Sequence, residues 1–318
     1  MNRPKMYTTS IIKTIKTSAW HYHYHLEQKT KKYYGNQDGI LFDILNKPMK
    51  HTAIITVLYE NYTVVNEFIE SLSQQKKQNF HLYILDASAN KKPLTIRSIS
   101  HTIIPINNNG YAFGVNIGLR NAISDGYSRF CVINDDVICE KNFTDQLERA
   151  FENHPGCLMG GKIYYAKGYE YHKDRYQHKD LGNVIWYAGG TVDWSHATTG
   201  HIGVDEVDDG QFDNENKTDF ITGCLTCFDK KVVDTIGFWD ERYFLYYEDA
   251  DYCERAKLKN IPLLYIPIIC IWHKNAQSTN GSGSVFHQKI QKKARLRFAL
   301  KYAPLKTKLH IIKNYFLI

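Results

Sequence analysis

Residues 1–20, MNRPKMYTTSIIKTIKTSAW, lack the continuous apolar core of a secretory leader. The most apolar run, IPLLYIPIICIW at 261–272, is too short to cross a bilayer and holds two prolines. It reads as a buried strand instead. The seven cysteines are odd in number and follow no disulfide framework. Cys224 and Cys227 form one C-x-x-C, but no second pair of similar spacing completes a zinc site. Buried thiols in a reducing cytoplasm are the simpler account. No internal repeat or low-complexity tract is present. A basic centre is also missing. Residues 1–50 carry nine Lys/Arg against three Asp/Glu, and residues 285–318 carry nine with no acid. The total of +7 therefore leaves the centre, 51–284, at −8. An acidic body with basic ends argues against nucleic acid as the partner, since that would need a basic central face.

Material for a core is abundant. Hydrophobic residues make up 43% of the 318, with 23 Tyr, 15 Phe and 5 Trp, a globular composition. Residues 1–50 are irregular and rich in Tyr, His and Lys. Within them HYHYH offers His21, His23 and His25, which read more simply as inert alternating histidines than as metal ligands. From residue 53 the rhythm changes. AIITVLY (53–59) reads as a buried strand. NYTVVNEFIESLSQQ (61–75) is a helix with Val64, Val65, Phe68, Ile69 and Leu72 on one face. FHLYILD (80–86), TIIPI (102–106) and RFCVIN (129–134) are further strands, with a helix at VNIGLRNAIS (115–124). Strands alternating with helices predict an α/β fold with a mostly parallel central sheet. In such sheets ligands collect beyond the carboxyl ends of the strands. Asp86, Asn107–Gly110 and Asn134–Asp136 all fall there.

After residue 150 the alternation loosens. GCLMGGKIYY and NVIWYAGGTVDW read as strands with turns, and 168–183 and 195–217 as polar loops over the site. DFITGCLTCFDK (219–230) reads as a strand, KVVDTIGFWD as a short helix and turn, and YEDADYCERAKLKN (247–260) as a helix opening with acids, which suits the helix dipole.

Two acidic clusters stand out. The apolar run Phe130–Ile133 breaks into Asn134-Asp135-Asp136, then Val137 and Ile138 resume it. Adjacent carboxylates repel, and burying them unpaired is costly. Either they form a solvated turn or they face something positive. The second cluster, YYEDADY (246–252), puts Glu248 and Asp249 at a helix start between tyrosines. Such acids satisfy backbone N–H groups or serve as a base. NNNGYAFGVN (107–116) combines turn residues, but its glycine spacing is not a dinucleotide fingerprint.

ILDASAN, NNNGYAFGVNIGL, VINDDV, GCLTCFDKKVVDTIGFWDERYFLYYEDADYCERA and IWHKNAQS occur in that order. Together they resemble the family-2 glycosyltransferases of the GT-A fold, especially the bacterial rhamnosyltransferase-like and galactofuranosyltransferase-like branches. The resemblance covers about 53–275 and implies a GT-A domain at 51–284, between an N-terminal extension and a basic tail. It implies an inverting enzyme that moves a sugar from a nucleotide-diphosphate donor, dTDP- or UDP-linked, to a glycan or lipid-linked glycan in surface polysaccharide synthesis. Asp136 would hold Mn2+ or Mg2+, with His273 completing the site. Asn134 departs from the usual acid, and Asp135 would help place the ribose or metal. Asp86 would read the pyrimidine, while Tyr59, Asn109, Gly110, Gly114 and Asn116 would approach the nucleotide. The LYENY stretch around Tyr59 departs from the family's Tyr-Asn pair by the inserted Glu60. Thr222 and Gly223 would lie by the donor sugar. Asp249 would be the base, Glu248 its support at the acceptor, and Asp251 a structural acid.

The tail, 285–318, alternates Phe286, Ile290, Ala294, Phe298, Leu305, Leu309 and Ile312 with Lys and Arg. It reads as a pair of interfacial helices on an anionic membrane. The alternative is packing on the body or against a second copy in a homo-oligomer. The expected location is cytoplasmic, peripheral on the cytoplasmic face of the membrane. Two rival functions remain. A non-catalytic nucleotide- or glycan-binding relative is kept open by Asn134. A sugar-nucleotide pyrophosphorylase would need a Gly-rich loop after the first strand, where YENYTVV has no glycine.

Overall fold

The computed structural model describes residues 50–274 and 285–316. The His21–His25 alternation and the end of the IWHKNAQS motif lie outside the described residues. The first half is an alternating α/β unit. Strands β1 (Lys50–Leu58), β2 (Phe80–Asp86), β3 (His101–Pro105) and β4 (Tyr127–Ile133) run parallel in the order β3-β2-β1-β4. The chain moves outward from β1 to β3, then returns to pair β4 on the other side of β1. Such a reversal opens a crevice at the strand ends between β1 and β4.

Alternation along β1 divides the core. Ile54 and Leu58 face α1 (Tyr62–Ser73), whose Val65, Phe68, Ile69 and Leu72 are buried at helical spacing. Ala53 and Ile55 face α2 (Tyr111–Ser124) on the opposite side. This gives a sheet with helices on both faces. The helix α2 starts four residues before the expected 115, because Gly114 and Gly118 are packing positions rather than turn residues. A Cβ on Gly118 would lie 2.5 Å from the Ile55 side chain, so close approach to β1 requires glycine there.

The second half extends the sheet with mixed directions. After β5 (Val137–Cys139) and α3 (Phe143–Asn153) comes β6 (Leu158–Tyr165). The strand β11 (Leu225–Asp229) runs antiparallel between β4 and β6, and is shorter than the expected 219–230. The long β12 (Leu263–His273) pairs parallel with β6 and antiparallel with β5. It is the buried strand predicted from 261–272. The stretch 195–217, read as loop, carries β9 (Thr198–His201), which pairs with β8 (Gly190–Asp193), and the short β10 (Asn216–Lys217). Between β6 and β8, β7 (Ile185–Tyr187) pairs with β6.

Helix α4 (Lys230–Ile236) begins on Asp229, whose carboxylate accepts from the Val232 N–H. Helix α5 (Glu248–Leu258) has Glu248, Asp249 and Asp251 in its first turn and Arg255 and Lys257 in its last, complementing the helix dipole. The tail forms α6 (Val285–Tyr302) and α7 (Leu305–Phe316). One face of α6 packs on the body, as the alternative reading of the tail expected. Ala294, Phe298 and Ala299 are buried, and Phe298 sits against Trp194 and Tyr247 with ring centroids 5.6 and 5.2 Å away. Truncating such a phenylalanine costs about 3–5 kcal/mol. Asp251, fully buried, latches α5 to α6: it accepts from Lys301 Nζ at 2.6 Å, Tyr302 Oη at 2.9 Å and Arg255 Nε at 2.8 Å. Among the described residues no helix is long and apolar enough to cross a membrane.

Candidate active site

A cavity of about 640 Å³ opens at the crevice predicted by the strand order. Val57 and Tyr59 line it from the end of β1, Ala87 from the end of β2, and Asn134, Asp135 and Asp136 from the turn after β4. The remaining wall carries Trp186, Thr198, Thr199, His201, Thr222, Gly223, Glu248, Asp249 and His273.

The turn after β4 is fixed by backbone. The Asn134 N–H donates to Cys224 O at 3.0 Å, and Lys274 N–H donates to Asp136 O at 2.8 Å. Tyr111 Oη lies 3.2 Å from Asn134 Oδ1 and 3.1 Å from Gly223 O, its proton shared between them. Asp135 and Asp136 are each only 4% exposed, so the solvated-turn reading of these acids does not hold. Burial, with the charge of Asp136 second, pushes the Asp135 carboxyl well above its ordinary range. Asp135 Oδ2 has no hydrogen-bond partner. Such an acidic turn is strained without a positive group.

Sheet register brings His273 to this turn. The antiparallel β5–β12 ladder sets His273 opposite Val137, beside Asp136, and His273 Nε2 lies 3.2 Å from Asp136 Oδ1. An imidazole nitrogen and a carboxylate oxygen this close, both lining the cavity, are donor types that a Mn2+ or Mg2+ ion accepts. The described residues contain no group of three His, Cys, Asp or Glu suited to a metal. Asp136 and His273 are thus the residues that would hold a divalent cation, with phosphate oxygens of a bound nucleotide as its other partners.

The acidic pair on α5 is held differently. Tyr246 and Tyr247 take left-handed backbone, φ 69° and 67°, just before the helix. Non-glycine residues rarely do this twice in succession, and each such residue costs on the order of 1–2 kcal/mol. Asp249 Oδ2 accepts from the Gly223 N–H and Oδ1 from its neighbour Ala250, both at 2.8 Å. Burial raises the Asp249 carboxyl, and these backbone donors oppose the rise. Glu248 is 5% exposed with Oε2 unpartnered. Burial first, and then the charge of Asp249, pushes its carboxyl well up.

Of the sequence candidates, Tyr59, Gly110, Asn134, Asp135, Asp136, Glu248, Asp249 and His273 line the one cavity. Four do not. Asp86 is 3% exposed, and its oxygens accept from Tyr62 Oη at 2.8 Å and Ser88 N–H at 3.0 Å. Asn109 is exposed in a turn, its N–H on Asn107 O. At Gly114 a Cβ would lie 2.8 Å from the Val57 side chain, so this glycine serves helix–strand contact. Asn116 is buried, with its amide bonded to both backbone groups of Trp239 and to Glu241.

The sequence reading missed Tyr111, Trp186 and His201. The Trp186 ring stands edge-on to both His201 and His273, at centroid distances of 4.4 and 4.5 Å. His201 Nδ1 lies 2.9 Å from Trp186 O, which makes it the N–H tautomer and leaves Nε2 as an acceptor. Burial lowers the His201 pKa to about 4, so its ring is neutral at ordinary pH. Tyr111 lies inside the NNNGYAFGVN motif at the start of α2, whereas no motif marked Trp186 and His201, which come from β7 and β9, outside the α/β alternation.

Sequence comparison decides the family. The profile of Glycosyl transferase family 2 matches residues 53–237, more than half of the chain. The chain is a family 2 glycosyltransferase. No curated protein matches the transferase in sequence. Among solved structures it is similar to GalNAc-T7, determined with UDP, GalNAc and Mn2+, at TM-score 0.63 and 10% identity. That alignment covers 86% of this chain and 52% of GalNAc-T7, so the transferase spans about half the length of that neighbour. S. aureus TarS aligns at TM-score 0.48 and 14% identity, over 83% of this chain and 42% of TarS. The fold is thus the GT-A fold, with its mostly parallel sheet between helices.

Proposed function

We propose that this transferase is inverting and uses a divalent cation, Mn2+ or Mg2+, to move a sugar from a pyrimidine nucleoside diphosphate to a glycan or lipid-linked glycan. The observation that carries this reading is one cavity in which Asp136 and His273 meet at 3.2 Å while Glu248 and Asp249 line the same space. The neighbour determined with UDP and Mn2+ supports the nucleotide and metal assignment at the level of fold. The donor diphosphate would lie toward Asn134–Asp136, with Tyr59 and Ala87 by the nucleoside. When bound, the cation would neutralise the departing diphosphate. Asp136 and His273 would hold it, and a cation there would favour the charged form of buried Asp135, which burial otherwise holds neutral.

The two acids on α5 divide one proton between them. Asp249 has two backbone donors that favour its charged form, whereas Glu248 has an unpartnered oxygen and favours its neutral form. Asp249 is therefore the better base for the acceptor hydroxyl, and Glu248 the better hydrogen-bond donor to the acceptor. Trp186 offers a flat apolar face and His201 Nε2 an acceptor for a sugar hydroxyl. Surface polysaccharide synthesis is the context that suits such an acceptor.

Replacing Asp249 by Asn tests the assignment. Transfer should fall about 10²- to 10⁴-fold, the usual worth of a positioned base. Binding of UDP with Mn2+, followed by calorimetry, should be unchanged. Turnover near the unmodified level would remove Asp249 from this role.

A further inference from the structure

Residues 285–316 carry nine Lys/Arg and no acid. The body takes part of this tail. On α7, Thr307 and Ile311 are buried, and Thr307 Oγ1 donates to Trp194 O at 2.8 Å. These residues define the inner face of the helix. At about 100° per residue, Leu305, Leu309 and Ile312 share a stripe about 60° wide that points away from that face. Leu305 is 72% exposed and Leu309 60%. Lys308 borders the stripe on one side, and Lys306 and Lys313 on the other. Two leucines one turn apart, open to water and bordered by lysines, do not serve the folding of this domain.

Charge selects the occupant. A second copy docked face to face would set lysine against lysine with no acid on α7 to relieve it. The stripe is also far smaller than the roughly 800 Å² per partner of a stable interface. An anionic bilayer meets both features: leucines enter the acyl boundary while lysine stems run along it with their ammonium groups at the phosphates. We propose that the outer stripe of α7, Leu305, Leu309 and Ile312 with Lys306, Lys308 and Lys313, docks on the surface of an anionic phospholipid membrane. Helix α6, in contrast, is the strut that holds α7 to the body through Phe298 and Lys301. This inference is independent of the catalytic reading, since it needs neither donor nor turnover.

Flotation of the full chain with phosphatidylcholine vesicles, with and without phosphatidylglycerol, is the test. The unmodified chain should float with phosphatidylglycerol vesicles and stay in solution with pure phosphatidylcholine. Leu305→Ser with Leu309→Ser should reduce the bound fraction about tenfold or more, while leaving the unfolding temperature in place because both side chains are exposed. Lys306→Gln, Lys308→Gln and Lys313→Gln together should remove the preference for phosphatidylglycerol. Undiminished flotation of the serine variant would overturn the proposal, as would equal binding of the unmodified chain to both vesicles. A concentration-dependent dimer by light scattering, abolished by the serine variant in a chain that does not float, would assign the stripe to a second copy instead.

Discussion

The cavity wall bearing Asn134, Asp135 and Asp136 stands on the end of a parallel strand, whereas the wall bearing Glu248 and Asp249 hangs from two left-handed tyrosines. The first is set by sheet register. Strand β4 is paired on both sides, by β1 and by β11, and β5 returns to pair with β12. Its charged atoms are placed by a ladder of backbone bonds that no single side chain controls. The second wall depends on a few contacts: Gly110 against Phe244, Gly223 against Asp249, and Asp251 against Lys301 and Arg255. The difference teaches where each wall is vulnerable. Chemistry on the strand wall should be lost only by removing the acting side chain. Chemistry on the helix wall should also be lost by moving its supports.

The largest effect on the strand wall should follow Asp136→Ala. If Asp136 and His273 hold the cation, transfer should fall about 10²- to 10³-fold, in keeping with several kcal/mol of charge stabilisation. Kinetics across a Mn2+ series check this. Removing Asp136 relieves its repulsion with buried Asp135 but also strips buried His273 Nε2 of its partner, so the two effects offset and the unfolding temperature should change little. Full transfer by the variant in the presence of a chelator would show that neither residue supports a metal. Since Asp136 and His273 supply only two ligands, Mn2+ without nucleotide should bind weakly.

The support of the helix wall is probed by Gly110→Ala. Gly110 has φ +104°, and a Cβ there would lie 2.4 Å from Phe244 O, the carbonyl that accepts the Tyr111 N–H at 2.8 Å. The substitution should destabilise the fold by about 2–3 kcal/mol through strain and displaced backbone. Urea unfolding measures that loss. Turnover should fall further than nucleotide affinity does, because the displaced loop leads into Glu248 and Asp249. An equal fall in both would mean that the two walls move as one.

The same contrast governs what could be read from sequence. The strands and helices of 53–134 were legible because apolar runs and amphipathic spacing there agree with the parallel sheet. Asp136 was legible because an acid that interrupts an apolar run must sit at a strand end. The pairing of Asp136 with His273 was not legible from spacing: 137 residues apart, they meet only through the β5–β12 register. His201 was missed because it lies on a short strand within polar sequence, and Trp186 because the short apolar run around it gives no sign of which side chain faces a cavity. Gly114 and Asn116 looked like ligand-binding turn residues. In the fold, one lets α2 approach β1 and the other bonds the backbone of Trp239. A family motif can therefore mark a scaffold position as readily as a contact with substrate.

The smallest effect, and the one that separates the two acids on α5, lies in the pH dependence of Glu248→Gln. Burial, then the charge of Asp249, raises the Glu248 carboxyl above its ordinary value of 4.5. The folded chain therefore holds this proton more tightly than the unfolded chain does. That contribution to stability is complete below about pH 4.5, the unfolded value, and is lost as pH rises through the raised folded value. Glutamine keeps the neutral form at every pH. The variant should match the unmodified enzyme in unfolding temperature at pH 4 and exceed it at pH 8.5. The remaining slope is then shared by the other carboxyls that burial raises, Asp135, Asp249 and Glu254. A variant less stable than the unmodified enzyme at pH 8.5 would mean that Glu248 is ionised and paired there, and the single proton assigned to it would have to move to Asp249.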